Sequence, residues 1–441
     1  MKIVQIVIFA ALTGGSFYFF LKKVREIYNN IMMGRKEEIA SDSSFRWKQM
    51  LLVAFGQQKM FKRPVAALLH LVIYVSFCIT QIELLEIFLD GFTGSHRILY
   101  FNLFEGNFLG GLYTLVINAI EILSLLTFFV TLAFLYRRNL LKLPRFTKAE
   151  LKGWPMRDAN QILIFEILLI FFIFCMNGGD KALQILGEHE QTGNFILSGI
   201  VGKALSGLPL GAIHFIERLG WWGHICMVFV FMNYLPYSKH LHIALAFPNT
   251  FFSRPEPKGE MKNMPNIQKE VASMFGGAQT EDGEEPMYFG AKDVTDLSWK
   301  NLLDAYTCTE CGRCTAACPA NLTGKKLSPR KIMMDTRDRM EDIAKGKKEH
   351  GPDFTDNKTL IGDYISKEEL RACTTCNACV EECPVNISPL SIILELRRNL
   401  IMEQSDSPSE WNTIFSNLEN NQAPWQFSPQ DRLNWVAELN D

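Results

Sequence analysis

Two short runs of cysteine carry the chemistry this chain can do. The first reads Cys308-Thr-Glu-Cys311-Gly-Arg-Cys314-Thr-Ala-Ala-Cys318-Pro319 and the second Cys373-Thr-Thr-Cys376-Asn-Ala-Cys379-Val-Glu-Glu-Cys383-Pro384. Both follow C-x2-C-x2-C-x3-C-P. Three thiolates this close on one loop can hold three corners of an iron–sulfur cubane, and the fourth, on the turn before Pro, points at the other cluster. One [4Fe-4S] cluster is therefore expected on Cys308, Cys311, Cys314 and Cys383. A second is expected on Cys373, Cys376, Cys379 and Cys318. Two zinc sites are the competing reading, but zinc ribbons pair CxxC with CxxC instead of closing a tight run of four with Pro.

Histidine supplies the second set. His70, His224, His240 and His242 lie in or beside strongly apolar stretches, where ionisable side chains are costly and mark function. A bis-His haem needs one imidazole from each of two helices at the same depth. His70 and His242 match in depth and are expected to hold one haem b. His224 lies eighteen residues before His242, about five turns or roughly 27 Å along one helix, which would assign it to a second haem near the opposite surface. The second apolar stretch, about Val65–Leu89, which carries His70, has no His at that depth, so a partner for His224 would be non-standard, His189 or His214. One haem is the preferred count. The plainer readings are solvated interfacial rings for His240 and His242 beside Lys239, and a hydrogen-bonded belt residue for His224 after Trp221 and Trp222.

Two kinds of chain must position these residues. The sequence has 441 residues and a net charge of −2, and no basic stripe interleaved with aromatics, so nucleic acid is not an expected partner. Of its eleven Cys, those outside the runs are Cys78, Cys175 and Cys226, which read as small core residues. Apolar runs dominate up to about residue 247, and five of them approach the length a bilayer needs: about Ile3–Leu21, Val65–Leu89, Leu109–Tyr136, Ile162–Met176 and Trp221–Phe247. The first reads as a membrane helix, because Lys2 alone makes a poor signal-peptide n-region. Basic residues (Lys22, Lys23, Arg25; Lys59, Lys62, Arg63; Arg137 to Lys148; Lys152, Arg157; Lys239) all fall on one side of this topology. That side is expected to be cytoplasmic. The outer connections are then about Asp90–Gly106 and Gly178–Gly220, the second with an amphipathic helix near Ile196–Arg218. Among the acidic residues in the apolar segments, Glu83, Glu86, Glu121 and Glu166, most are expected to be satisfied hydrogen bonders; proton relay to a quinone is the other role open to them.

The expected fold is an all-α membrane bundle of five transmembrane helices followed by a cytoplasmic α-helical two-[4Fe-4S] ferredoxin-like domain. The expected divisions are 1–247, the membrane haem b domain; 248–293, a linker; 294–402, the two-cluster domain; and 403–441, a docking tail with Trp411, Trp425 and Trp435. The charged insert between the runs, about Thr323–Lys367, is expected on the surface, and the tail is expected to dock on the chain's own soluble domain. The location is a cell inner membrane, multi-pass, with the N-terminus outside.

With these features together, the membrane half resembles the di-haem gamma subunit of respiratory nitrate reductase, through its five helices, its His placement and the stretch Tyr234-Leu-Pro-Tyr-Ser-Lys-His-Leu-His242. The whole chain resembles fused membrane and iron–sulfur subunits of the heterodisulfide-reductase type and membrane-bound electron-transfer-flavoprotein:menaquinone oxidoreductases. The first resemblance implies two His on helix two, but ten residues either side of His70 stand Met60 and Thr80. The others imply a further CCG-repeat cluster, which this sequence lacks, so a cytoplasmic CCG-type iron–sulfur or flavoprotein partner is implied. The expected function is an electron-transfer subunit of a quinone-linked oxidoreductase, passing electrons from a cytoplasmic donor through the clusters and haem b to a membrane quinone. Electron-transfer flavoprotein is the donor the resemblance implies, and reverse flow stays open. No G-x-G-x-x-G signature is present. The rival is a non-enzymatic iron–sulfur membrane protein with a structural or sensing role.

Overall fold

The computed structural model describes residues 2–101, 108–257, 260–261, 263–276 and 289–439. Among them the chain is helical, and extended segments meet only in isolated bridges, Arg35 with Ser298 and Ile361 with Ile365. The first half contains α1 (Lys2–Ile31), α2 (Ser43–Gln49), α3 (Pro64–Thr93), α4 (Phe108–Asn139), α5 (Trp154–Ile185), α6 (Ile196–Leu205), α7 (Leu210–Tyr234) and α8 (His242–Phe251). Of these, α1, α3, α4, α5 and α7 are long and apolar enough to cross a membrane.

Local chemistry sets their ends. Pro64 opens α3, where its missing N–H costs nothing. Gly94 closes it in a left-handed conformation (φ +66), donating its N–H to the Asp90 carbonyl at 2.7 Å, a geometry that favours Gly. Pro236 cannot continue the ladder of α7, and the chain passes through two 3-10 turns, Leu235–Tyr237 and Lys239–Leu241. The fifth apolar segment therefore lies earlier than its sequence reading, and His242 opens the separate helix α8. This corrects the expectation that His224 and His242 lie along one helix. The long connection also differs: α5 runs on through Asn177–Gln184, whose polar side chains are buried, and the expected amphipathic helix is split at Pro209 between α6 and α7. The other outer connection is described only to Phe101, and residues 102–107 lie outside the described residues.

Small residues let α5 and α7 approach closely. A Cβ on Gly220 would collide with the Met176 backbone, and one on Gly179 with Glu217. Close packing through small residues is how apolar helices associate where no hydrophobic gain drives them together.

The second half contains α9 (Pro265–Met274), α10 (Trp299–Thr307), α11 (Arg313–Ala317), α12 (Pro319–Leu322), α13 (Pro329–His350), α14 (Lys367–Ala372), α15 (Ala378–Glu382), α16 (Pro389–Arg398), α17 (Ser409–Asn421) and α18 (Asn434–Glu438). The linker holds α9, and its residues 277–288 lie outside the described residues. The insert expected on the surface is instead part of the core. Ile332, Met333 and Met340 of α13 are buried with Leu302, Leu370 and Ile393, and Ile27, Ile31 and Leu241 from the first half join the same core. Arg330 and Arg339 are fully buried. Arg339 is neutralised by Asp293 at 2.7 Å and Asp356 at 2.6 Å. The tail does not bury its aromatics: Trp411, Trp425 and Trp435 remain 38%, 44% and 58% exposed. The start of the tail touches the soluble half, where Asp406 pairs with Lys367 and Arg371, and Trp411, Ile414, Phe415 and Leu418 of α17 stay exposed as an apolar stripe.

Candidate metal centres

The two Cys loops are conformational copies. Cys308 and Cys373 each end a helix in extended geometry. Glu310 (φ +55) and Thr375 (φ +57) then turn left-handed, as do Gly312 (φ +72) and Asn377 (φ +60). A one-turn helix follows each, α11 and α15, closed by Cys318-Pro and Cys383-Pro. Paired left-handed residues turn successive N–H groups inward, the backbone form that surrounds anionic groups. Ile387 N–H meets Cys383 Sγ at 3.3 Å, and Thr375 N–H meets Cys373 Sγ at 3.4 Å.

Cys383 lies with the first run. It lines one small hollow with Cys308, Cys311 and Cys314, among Met333, Val385 and Ile387. Burial raises the Cys314 thiol well above its usual range, and Cys308, Cys311 and Cys383 raise it further. Burial likewise lifts Cys308 to about 12 and Cys383 to about 11. Cys318 lies with the second run. Cys379 is lifted to about 12 by burial and then by Cys373, Cys318 and Cys376. Thiols crowded and buried in this way ionise only beside a strong cationic charge. An all-thiolate donor set in a dry pocket fits iron–sulfur clusters, and the eight Cys would hold them.

The first loop is fastened to the membrane-type half. Lys239 Nζ bonds Glu310 Oε2 at 2.6 Å and the Pro155 carbonyl of α5 at 2.7 Å. Arg337 lies 3.0 Å from the other oxygen of Glu310. Burial alone would raise the Glu310 carboxyl, but Lys239 and Arg337 hold it below its usual range. Arg313 donates to the Lys59 and Met60 carbonyls at 3.3 and 3.4 Å. Lys59 reaches the Val380 carbonyl at 3.2 Å, Lys62 pairs with Glu381, and Arg63 with Glu382 at 3.0 Å. Sequence reasoning took Lys59, Lys62, Arg63 and Lys239 only as topology markers. Glu310 and Arg313 stood inside the first Cys run as spacer residues and Lys239 inside the Tyr234–His242 stretch, while Gln57 and Arg337 lay in no motif.

His70, His240 and His242 are brought together. Burial lowers the His240 imidazole, and His242 and His70 lower it further; the His240 and His242 rings lie 5.4 Å apart. Three rings have Nδ1 against a carbonyl-type oxygen. His70 Nδ1 meets Gln57 Oε1 at 3.1 Å, His242 Nδ1 the Lys239 carbonyl at 3.0 Å, and His224 Nδ1 the Leu169 carbonyl at 3.1 Å. An Nδ1–H donated to such an acceptor leaves Nε2 as a lone pair, the arrangement of metal-binding imidazoles. Gln57 is buried and left-handed (φ +49), held where it can serve His70. His224 is not joined to the other three, and His189 is bonded to Asp180 at 2.9 Å.

The apolar helices' acids are mostly satisfied. Glu83 takes Asn177 Nδ2 at 2.9 Å, Glu86 takes the Tyr113 hydroxyl at 2.6 Å, and both face Arg97. Glu121 takes the Leu197 N–H at 2.9 Å at the start of α6, a favourable place for an anion. Among the described residues Glu166 has no such partner.

Residues 307–387 match a 4Fe-4S dicluster domain model. The chain is 26% identical over 468 aligned residues to a probable iron-sulfur-binding oxidoreductase, FadF, of Bacillus subtilis, covering 100% of this chain and 62% of that protein. It is 27% identical to the EtfAB:quinone oxidoreductase of Syntrophomonas wolfei, over 87% of this chain and 53% of that protein. A probable membrane-anchored ferredoxin of Chromohalobacter salexigens is 33% identical over 36% of this chain and 25% of its own length. The chain thus spans between about half and three fifths of the length of the first two relatives. No solved structure matches it. The chain carries a 4Fe-4S dicluster domain behind five long apolar helices.

Proposed function

We propose that this chain is the electron-conducting membrane subunit of a quinone-linked oxidoreductase. Residues 1–247 insert as five membrane helices, with the N-terminus outside and residues 294–402 in the cytoplasm. Cys308, Cys311, Cys314 and Cys383 hold one [4Fe-4S] cluster; Cys373, Cys376, Cys379 and Cys318 hold the other. His70 and His242 would hold one haem b, each through an Nε2 left free by the hydrogen bond at Nδ1. When bound, these groups carry single electrons between a two-electron donor and a quinone, which takes two electrons and two protons to become quinol.

One observation carries the reading: the Cys loops and the His turns are joined directly. Arg313 follows Cys311 and grips the turn before α3, which carries His70. Lys239 grips Glu310 between Cys308 and Cys311, and its own carbonyl orients His242. The name of the Syntrophomonas relative supports reduced electron-transfer flavoprotein as donor and a quinone as acceptor. The outward stripe of α17 would receive a cytoplasmic iron–sulfur or flavoprotein partner.

The test is anaerobic. The purified, cluster-loaded chain is reduced, and its reoxidation by a short-chain menaquinone is followed in a stopped-flow spectrometer. Reoxidation in the wild type that slows at least about tenfold in His70→Ala supports the reading. Equal rates in both proteins would remove the His70 haem from the path, and no reoxidation in either would leave the structural or sensing role.

A further inference from the structure

Far from the iron–sulfur module lies a second group of metal-type ligands that the proposed electron path does not use. Pro155 near the start of α5 faces the module through Lys239. Asp180 lies twenty-five residues further along the same helix, roughly 38 Å away. There His96 Nε2 and His189 Nδ1 converge on a single oxygen, Asp180 Oδ1, at 3.0 and 2.9 Å. The three candidate ligand atoms lie within 4.8 Å of one another. We infer that His96, Asp180 and His189 form a site for a divalent cation of the zinc type at the end of the bundle remote from the clusters.

The carboxylate is oriented in advance. Asp180 is 1% exposed, and its second oxygen is held by Gln184 Nε2 at 3.0 Å and faces Arg97 Nε at 3.5 Å. Gln184 is itself fixed by Thr192 at 2.8 Å. Such outer partners hold a ligand in place and tune it. The two imidazoles keep 36% and 24% of their side-chain surface, so an ion can arrive from solvent. His214 on α7 stands with its ring 6.1 Å from that of His189 and can supply a fourth donor; water can do so otherwise. The surrounding carboxylates Glu83, Glu86, Asp90 and Glu217, with Asp180, outnumber Arg97, Lys181 and Arg218, which favours a cation. Two imidazoles with one carboxylate form a donor set suited to zinc. A bound ion would tie the turn after α3 to the last turns of α5 and to the segment before α6.

The full-length chain, with its iron sites loaded, is dialysed against zinc chloride, and zinc and iron are counted together by mass spectrometry. The wild type is expected to retain one zinc per chain more than the double variant His96→Ala/His189→Ala, with iron equal in both. Each single His variant is expected to weaken zinc binding by about tenfold or more. Zinc is also expected to raise the unfolding temperature of the wild type and not that of the double variant, since an ion that binds only the folded state stabilises it. Equal zinc content, or equal thermal shifts, in wild type and double variant would overturn the site and leave a hydrogen-bonded cluster.

Discussion

Cys383 and Cys318 each stand at the end of one run and beside the other run's thiols. Replacing Cys383 with Ser is therefore expected to remove the first cluster and leave the second, lowering iron from about eight to about four per chain. Cys318→Ser is expected to do the reverse. Electron paramagnetic resonance of the reduced variants separates the two, and loss of the same cluster in both would refute the crossing. Lys239 offers a test that leaves the ligands alone. Lys239→Met takes the hydrogen-bonded lysine from the buried Glu310, which keeps Arg337, and from Asp158 at 3.8 Å, and removing one partner of a buried pair costs about 3–5 kcal/mol. The expected signs are a lower unfolding temperature and an altered potential of the first cluster, with iron content preserved. The sign of the pH effect follows from the depressed Glu310 carboxyl. Its contribution is fully present above the unfolded value near 4.5 and is lost as the pH falls through the lower folded value. Thermal unfolding from pH 7 to 3 checks this: the wild type is expected to lose more stability than Lys239→Met over the acid part of that range.

At the scale of elements, Gly220 decides how closely α5 and α7 approach. In an isolated helix, Gly220→Ala would gain up to about 1 kcal/mol in propensity. Here the new Cβ would strike the Met176 backbone, and overpacking of about 1–3 kcal/mol outweighs the gain. A lower unfolding temperature is expected, and a rise would mean the two helices are free to separate. The five apolar helices were legible because their runs are long, but their ends were not. Gly178 to Gln184 read as the start of an outer connection, yet they continue α5 with Asn177, because Arg97, Glu83 and Thr192 satisfy its polar side chains. That Pro236 ends α7 and moves His242 to another helix required the fold. The Cys runs show their own spacing, so the paired loops were readable from the chain. The partners of Glu310 were not, since Lys239 and Arg337 come from distant segments. The insert misled because charge was read as exposure, whereas Arg330 is buried against Glu150 at 2.7 Å and Arg339 between two carboxylates.

At the scale of the molecule, the two halves share one core and a set of charged contacts, with the Cys loops against the turns that carry His70 and His242. The most direct test of the proposed conduit is the reduced-minus-oxidised optical spectrum of the purified full-length chain, with a pyridine haemochrome assay normalised to protein. One b-type haem per chain is expected, lost in His70→Ala and in His242→Ala, kept in His224→Ala. If His240→Ala removes it and His242→Ala does not, the ligand is the neighbouring imidazole. A second haem that disappears in His224→Ala would replace the single-haem account with a path across the membrane. A chain with both iron–sulfur signals and no haem band would contradict the conduit itself.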